Sequence, residues 1–110
     1  MGETGIERRA SVKAAEVPPG HMRIVEAGGI RIAICNVEGV FCAIEDVCSH
    51  DDGPLGEGTL RNAEVECPRH GARFDVRTGR ATRMPAVAPV RVFPVRTEGG
   101  DVIVEVNNGA

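Results

Sequence analysis

The segment Cys48-Ser49-His50 is followed, sixteen residues later, by Cys67-Pro68-Arg69-His70. Each of these two segments carries one thiol and one imidazole, side chains that bind soft or borderline metals. Zinc accepts such a set of four ligands in structural sites. A [2Fe–2S] cluster with two cysteines on one iron and two histidines on the other requires each segment to reach both irons, which this alternation allows. The pattern therefore predicts a metal centre held by Cys48, His50, Cys67 and His70.

The residues around these four resemble the soluble ferredoxins of the Rieske family, over about residues 11–106. The resemblance is carried by Asp51-Asp52-Gly53-Pro54-Leu55-Gly56-Glu57-Gly58, by Gly71-Ala72-Arg73-Phe74-Asp75-Val76-Arg77-Thr78-Gly79, and by Met84-Pro85-Ala86, which is similar to the proline segment that covers the cluster. It implies one [2Fe–2S] cluster per chain, with Cys48 and Cys67 on the inner iron and His50 and His70 on the outer, more exposed iron.

Two alternatives remain open at this point. A zinc-stabilised interaction module without a redox role would use the same four residues, although zinc sites usually pair Cys with Cys and His with His in each half. A small Rieske subunit of another reductase, such as the nitrite reductase type, would share the cluster but not the partners.

The length of the chain predicts a single domain spanning residues 1–110. Many short apolar runs are separated by Gly and Pro turns, and none shows a sustained helical period, which predicts an all-β fold. The resemblance implies a Rieske iron–sulfur fold with an antiparallel β base domain. It also implies a small inserted β cluster-binding subdomain at about residues 46–85. Residues 1–10 are expected to form a loose leader.

Composition limits which classes of partner the protein can bind and where in the cell we expect it. The net charge is −3, and the chain has neither Trp nor Tyr, which argues against nucleic acid because its binding usually needs a basic face or stacking aromatics. No apolar run approaches the ~20 residues of a membrane span. The N-terminal residues lack the pattern of a signal peptide. We therefore expect a cytoplasmic protein with no membrane or nucleic-acid partner.

The clearest local structure is a hairpin of residues 31–37 and 40–46, joined by Glu38-Gly39. A two-residue turn here places Cys35 opposite Cys42. Their shared face is predicted to be apolar and to point into the core, together with its other members, which are Ala33, Val37, Val40 and Ile44. Free cysteine packs as a small hydrophobe, so we expect two reduced thiols rather than a strained cross-strand disulfide.

Two further strands are predicted near the chain ends. Residues 11–17 are expected to form a short edge strand before Pro18-Pro19-Gly20. Residues 91–97 alternate apolar and polar side chains, and Pro94 indicates an edge strand because it has no N–H to donate.

The sequence indicates a carrier rather than an enzyme, with no catalytic residues. His21 alone remains once His50 and His70 are assigned, too few for the separate iron site that activates oxygen in oxygenases. No dinucleotide-binding fingerprint follows a strand. The resemblance implies a one-electron carrier between a flavin-dependent NAD(P)H reductase and a terminal non-haem iron oxygenase, typically an aromatic-ring dioxygenase.

Charged residues flank both candidate ligand segments, where they form either solvated loop surface or a docking surface at the electron exit. The basic group is Arg69, Arg73, Arg77, Arg80 and Arg83, and the acidic group is Glu45, Asp46, Asp51, Asp52 and Glu57. Leu55 and Pro85 are expected to cover the cluster, and apolar docking through these two residues is the alternative if electron-transfer rates do not depend on salt.

The residues also predict a low reduction potential. High-potential Rieske proteins have a Ser and a Tyr that donate hydrogen bonds to the cluster and its ligand, and the matching positions here are Ala72 and Phe74. They also have a disulfide between the ligand loops, whose positions here are Gly53 and Arg69.

Overall fold

The computed structural model describes residues 8–48, 53–68 and 71–106, which fold into three antiparallel sheets. The strands are β1 (Arg9–Lys13), β2 (Met22–Ala27), β3 (Ile30–Val37), β4 (Val40–Glu45), β5 (Thr59–Arg61), β6 (Glu64–Glu66), β7 (Arg73–Asp75), β8 (Ala81–Arg83), β9 (Val92–Phe93), β10 (Val95–Glu98) and β11 (Asp101–Glu105). Two 3-10 helices, Ala14–Glu16 and Leu55–Glu57, complete the described elements. The all-β prediction is confirmed.

The three sheets divide the chain in an ordered way. Their strand orders are β1-β11-β10, β2-β3-β4-β9 and β5-β6-β7-β8. The first sheet joins the two ends of the described chain, whereas the third uses only residues 59–83. That third sheet falls inside the range of residues 46–85 proposed for an inserted cluster-binding subdomain, and the second candidate ligand segment begins at Cys67, directly after its strand β6.

The β3-β4 hairpin has the predicted register. Cys35 pairs with Cys42 and Ala33 pairs with Ile44. Glu38 and Gly39 both have positive φ, at 52° and 94°, which is the backbone of a type I′ turn and matches the twist of the two strands. The residue pattern around the turn was therefore sufficient to predict the pairing of this hairpin.

The predicted face of the hairpin points into a core except at Val40, and the opposite face is buried as well. One face contributes to a cluster that contains three cysteines, here called the cysteine core: Ala33, Cys35, Ile44, Cys48, Leu55, Val65, Cys67, Ala72, Phe74, Val76, Ala86 and Val90. The other contributes to a cluster without sulfur, here called the hydrocarbon core: Ala27, Ile32, Ile34, Ala43, Phe93, Val102, Val104 and Val106. Val40, predicted to face the core, is 63% exposed because it lies at the hairpin tip.

Pro94 divides the segment that was predicted as one strand over residues 91–97. β9 pairs with β4, whereas β10 pairs with β11 in a different sheet. Proline has no N–H to contribute to a ladder, so the chain leaves one sheet and enters the next at this position. The prediction of one continuous strand is wrong, but both resulting strands lie at sheet edges.

The first strand begins and ends earlier than the strand predicted over residues 11–17. Arg9 and Ala10, which the prediction placed in the loose leader, already pair with β11. The ladder ends at Lys13 because its partner Asp101 is the first residue of β11. The chain then turns through the first 3-10 helix, and the first seven residues of the chain lie outside the described residues.

No helix in the described ranges is both long enough and apolar enough to cross a membrane.

Candidate metal centre

Cys48 lies in a tight loop that begins three residues after β4 ends. Its backbone N–H donates a hydrogen bond of 2.7 Å to the carbonyl oxygen of Gly53, which closes the loop on itself. The Cys48 side chain is fully buried and belongs to the cysteine core. The hairpin strand therefore delivers the first candidate thiol directly into the core.

Cys67 lies in a second loop of the same kind, immediately after β6. Its N–H donates to the carbonyl oxygen of Ala72 at 2.7 Å, and its own carbonyl accepts the N–H of Gly71 at 3.2 Å. Gly71 has a φ of 75°, a backbone conformation that favours glycine. The Cys67 side chain is 1% exposed and joins Cys48 in the cysteine core.

The two loops are thus closed in the same way, from a cysteine N–H to the carbonyl five residues later. Each closed loop contains one of the predicted histidine ligands. His50 and His70 themselves lie outside the described residues. The structure consequently brings together the two predicted cysteine ligands, Cys48 and Cys67, and the assignment of all four ligands remains a prediction.

Two glycines lie where an added Cβ atom would collide with a neighbouring group, which is backbone at Gly58 and the end of a side chain at Gly56. A Cβ atom at Gly58 would strike the carbonyl oxygen of Glu66, the residue before Cys67. A Cβ atom at Gly56 would strike Cδ1 of Ile24 on β2. The first loop is therefore packed tightly against both the approach to the second loop and the β2-β3-β4-β9 sheet.

The segment of Met84, Pro85 and Ala86 lies beside the cysteine core, as the predicted covering segment requires. Ala86 is buried in that core and Pro85 is half-buried. Four residues further on, the N–H of Val90 donates to the Gly79 carbonyl at 2.8 Å and anchors the chain that follows this segment.

Leu55 is completely buried in the cysteine core. It therefore covers the site from inside the protein and does not offer an apolar contact to a partner, which corrects part of the predicted docking surface. Met84 and Val87 are instead 73% and 81% exposed. The apolar surface next to the site belongs to the segment around Pro85.

Two arginines of the predicted basic group already form ion pairs with acidic side chains. Arg73 is only 31% exposed and forms an ion pair of 3.1 Å with Glu66 on the neighbouring strand. Arg77 pairs with Asp75 at 3.0 Å, and its hydrogen bond to that carboxylate lowers the pKa of Asp75. Arg80 and Arg83 are exposed and have no acidic partner among the described residues. Only these last two are free described cations of the predicted basic group.

Cys35, in the cysteine core, and Cys42, packed against that core, lie opposite each other as unbonded thiols. Burial, followed by the nearby Cys42 and Asp46, raises the pKa of Cys35 to about 12. Burial is also the main cause of the raised pKa of the half-buried Cys42. Neither thiol has the lowered pKa of a reactive cysteine, which agrees with the prediction of reduced packing residues.

Sequence reasoning missed the role of Asp46, which it assigned only to the acidic surface around the first loop. The Asp46 side chain is fully buried, and its carboxylate contacts both Arg31 and the backbone N–H of Gly56. The hairpin register contains a signal for the first contact. It pairs Ile32 with Glu45, so the next position in each direction sets Arg31 opposite Asp46.

The described half of the site fits the cysteine-ligated iron of a [2Fe–2S] cluster. Two thiols project from similarly closed loops into one buried, water-poor cluster of side chains. Thiolates bind iron and zinc well, and metal binding compensates for the cost of deprotonating buried thiols. No three metal-binding side chains converge among residues 8–48, 53–68 and 71–106. Donor chemistry alone therefore leaves the choice between iron and zinc open.

Comparisons with known proteins decide that choice. Residues 8–94 match the family model of the Rieske [2Fe-2S] domain, whose cofactor is a [2Fe–2S] cluster, so the zinc alternative is set aside. The chain is 46% identical over 96 residues to the ferredoxin component of biphenyl 2,3-dioxygenase from Rhodococcus jostii (strain RHA1), covering 87% of this chain and 90% of that protein. It is 42% identical over 92 residues to the 3-phenylpropionate/cinnamic acid dioxygenase ferredoxin subunit of Escherichia coli (strain K12), covering 83% and 86%.

The fold is also similar to solved structures. One chain in the complex of reduced oxygenase and oxidized ferredoxin of carbazole 1,9a-dioxygenase superimposes with a TM-score of 0.85 at 37% identity, covering 90% of this chain and 94% of that one. The chain therefore belongs to the Rieske [2Fe-2S] family and is a ferredoxin, an electron-carrying component of the kind found in aromatic dioxygenase systems.

Proposed function

We propose that this ferredoxin transfers one electron at a time from a flavin-dependent NAD(P)H reductase to a terminal Rieske-type non-haem iron oxygenase. The cluster is bound by Cys48, His50, Cys67 and His70. The observation that carries this ligand set is the matched closure of the two loops, each from a cysteine to the carbonyl five residues later, with one histidine inside each loop. Two loops that each carry one cysteine and one histidine can give each iron one ligand from each loop.

The chain's own residues prepare the site for electron transfer. When bound, the [2Fe–2S] cluster supplies a centre that accepts and releases one electron. Leu55, Val65 and Phe74 are fully buried around the two cysteines and exclude water from the thiolate side. The histidine side is then the exit for the electron, because the resemblance places His50 and His70 on the more exposed iron.

The oxygenase partner is supported by the relatives. The carbazole dioxygenase complex contains an oxygenase together with a ferredoxin, and the other relatives are ferredoxins of dioxygenases for aromatic compounds. The final substrate class is accordingly an aromatic compound that the oxygenase, not this chain, binds. A flavin-dependent reductase is the electron donor, and the protein operates in the cytoplasm without a nucleic-acid or membrane partner.

The docking surface consists of the apolar pair Met84 and Val87 with the cations Arg80 and Arg83 beside it. All four side chains are exposed, and they lie in or close in sequence to the segment whose Ala86 is buried in the cysteine core. An apolar centre with a basic edge fits a partner face with an apolar centre and an acidic edge. Exposed charges act mainly on the rate of association and are screened by salt, over about 10 Å at 0.1 M.

The ligand set is tested by metal analysis of the purified protein. We expect a red-brown protein with two irons and two acid-labile sulfides per chain. The spectrum is easily read because the chain has no Trp or Tyr absorbing at 280 nm. His50→Ala or His70→Ala should abolish electron transfer. A colourless protein with bound zinc would overturn the proposal.

The docking surface is tested by stopped-flow electron transfer to the oxygenase. Arg83→Glu should lower the association rate several-fold at low salt and leave the cluster's visible spectrum unchanged. Lys13→Glu is the matched control, since it reverses an exposed charge on β1, in a different sheet. Rates that respond equally to both variants, or that do not depend on salt, would contradict a basic edge at this surface.

A further inference from the structure

Asp46 joins the first ligand loop, here the chain from Cys48 to Gly58, to the β2-β3-β4-β9 sheet. It lies directly after β4 and two residues before Cys48. Its Oδ1 accepts the backbone N–H of Gly56 at 2.6 Å, while its Oδ2 accepts Nη2 and Nε of Arg31 at 3.2 and 3.3 Å. One carboxylate oxygen is thus bound to the ligand loop and the other to β3.

The contact with Gly56 satisfies a backbone group that nothing else in its helix can satisfy. Gly56 is the second residue of the 3-10 helix Leu55–Glu57, where N–H groups have no partner within the helix. Pro54, at the N-cap, has no polar side chain to accept this hydrogen bond. Asp46 supplies the acceptor from outside the helix, at the place where Gly56 is packed against Ile24.

The charge of Asp46 is buried, whereas its counter-charge is not. The Asp46 side chain is 0% exposed and the Arg31 side chain is 57% exposed. Water therefore screens the guanidinium more than the carboxylate, and the pair presents a net negative field to the protein interior. Asp46 also contributes, after burial and Cys42, to the raised pKa of Cys35 in the cysteine core.

We propose that Asp46 is a positioning residue that holds the first ligand loop on the sheet and keeps the reduction potential of the cluster low. Reduction adds one negative charge to the cluster, and a buried carboxylate close to a ligand raises the free energy of that reduced state. Gly56 and Cys48 belong to the same loop. The Asp46 carboxylate therefore controls both the placement of that loop and the electrostatic environment of its cysteine. This inference rests on the proposed ligation by Cys48.

The test is voltammetry on purified protein with its cluster. Asp46→Asn keeps an oxygen for the Gly56 N–H and removes the charge, so the potential should rise. Arg31→Gln removes the exposed counter-charge, so the potential should fall. The double variant should return toward the wild-type value. A residue with only a structural role would not shift the potential in opposite directions in these two variants.

Two control variants make matching charge changes in a different sheet. Asp101→Asn and Arg96→Gln lie on β11 and β10, in the β1-β11-β10 sheet. Both should leave the potential unchanged. The positioning role has its own readout in hydrogen exchange, where the Gly56 amide should exchange faster in Asp46→Ala than in Asp46→Asn or the wild type.

The outcomes separate this inference from the ligand assignment. A wild-type protein without a [2Fe–2S] cluster would refute the ligand assignment. Full clusters with an unchanged potential in Asp46→Asn would overturn the inference about Asp46 alone. If Asp46→Asn binds too little cluster for voltammetry, Arg31→Gln decides, because a potential that does not fall in that variant also overturns it.

Discussion

The β3-β4 hairpin separates two cores that differ in chemistry although they share the same two strands. The cysteine core contains Cys35, Cys48 and Cys67, while the hydrocarbon core has no sulfur or polar side chain. Neighbouring residues of one strand, such as Ile34 and Cys35, point to opposite cores because side chains alternate along a strand.

This difference indicates that the two cores are stabilised in different ways. The hydrocarbon core packs the sheet that joins the two ends of the described chain, and burial of apolar side chains stabilises it without a metal. The cysteine core is built from short strands and closed loops, and it gains stability when metal binds its thiols. We therefore expect metal and mutation to affect the two cores separately.

The largest expected effect follows from removing a ligand. Cys67→Ser should abolish the visible absorption of the cluster and raise hydrogen exchange in β5, β6, β7 and β8, because metal binding and loop order are coupled. The amides of β1, β10 and β11 should stay protected. Cys35→Ala is the control and should retain the spectrum. Equal loss of protection in all three sheets would show that the cores do not behave separately.

The hydrocarbon core should carry a large share of the stability that does not depend on metal. Ile34→Ala should lower the free energy of unfolding by about 2–5 kcal/mol, because Ile34 is fully buried. Its effect on the cluster spectrum should be negligible. Val40→Ala, on the exposed tip of the same hairpin, should change stability by less than about 0.5 kcal/mol. Urea unfolding measures both, and a bleached cluster in Ile34→Ala would contradict the separate behaviour of the two cores.

The thiols of the cysteine core should make the protein sensitive to alkali. The pKa of Cys35 is raised from an ordinary value of 9.0 to about 12, so its burial favours the folded state fully below pH 9. Above pH 9 the unfolded thiol ionises first, and stability should fall as pH rises toward about 12.

Urea unfolding of the wild type and of Cys35→Ala across this pH range measures how much this thiol contributes to the free energy of unfolding. In the variant, the free energy of unfolding should fall less steeply as the pH rises. Cys42→Ala should reduce this slope less, because Cys42 is only half-buried. An unchanged slope in Cys35→Ala would contradict the assignment to this thiol.

The smallest expected effect concerns the reduction potential of the cluster and the side chains of the cysteine core that could donate hydrogen bonds to it. Ala72 and Phe74 are both fully buried in that core and donate no side-chain hydrogen bond. Rieske centres span about −150 to +300 mV, and we expect a value near the lower limit. Adding hydroxyls in Ala72→Ser with Phe74→Tyr should raise it by tens of mV, since a hydrogen bond contributes about 1 kcal/mol and a tenfold change in equilibrium is 59 mV for one electron. A wild-type value well above 0 mV, or no rise in the double variant, would contradict this explanation.

Much of this arrangement was accessible from local residue patterns. Glu38-Gly39 predicted the hairpin and its register, and the register in turn contains the pairing of Arg31 with Asp46. The spacing of the four candidate ligands predicted a metal centre, and the structure brings Cys48 and Cys67 into one core. Such inferences succeed because turn geometry, strand alternation and ligand chemistry depend on residues that are close in sequence.

Burial and the choice of sheet depended on residues far apart in the chain. Pro94 was identified as a ladder breaker, but only the packed fold shows that it moves the chain from the sheet of β4 to the sheet of β11. Leu55 was expected to cover the cluster, and its full burial agrees with that, whereas Asp46 was assigned to the acidic loop surface and its side chain is also fully buried. Their environment is created by partners such as Ile24 on β2 and Arg31 on β3, which sequence spacing does not reveal because contact between remote segments forms only when the whole chain packs.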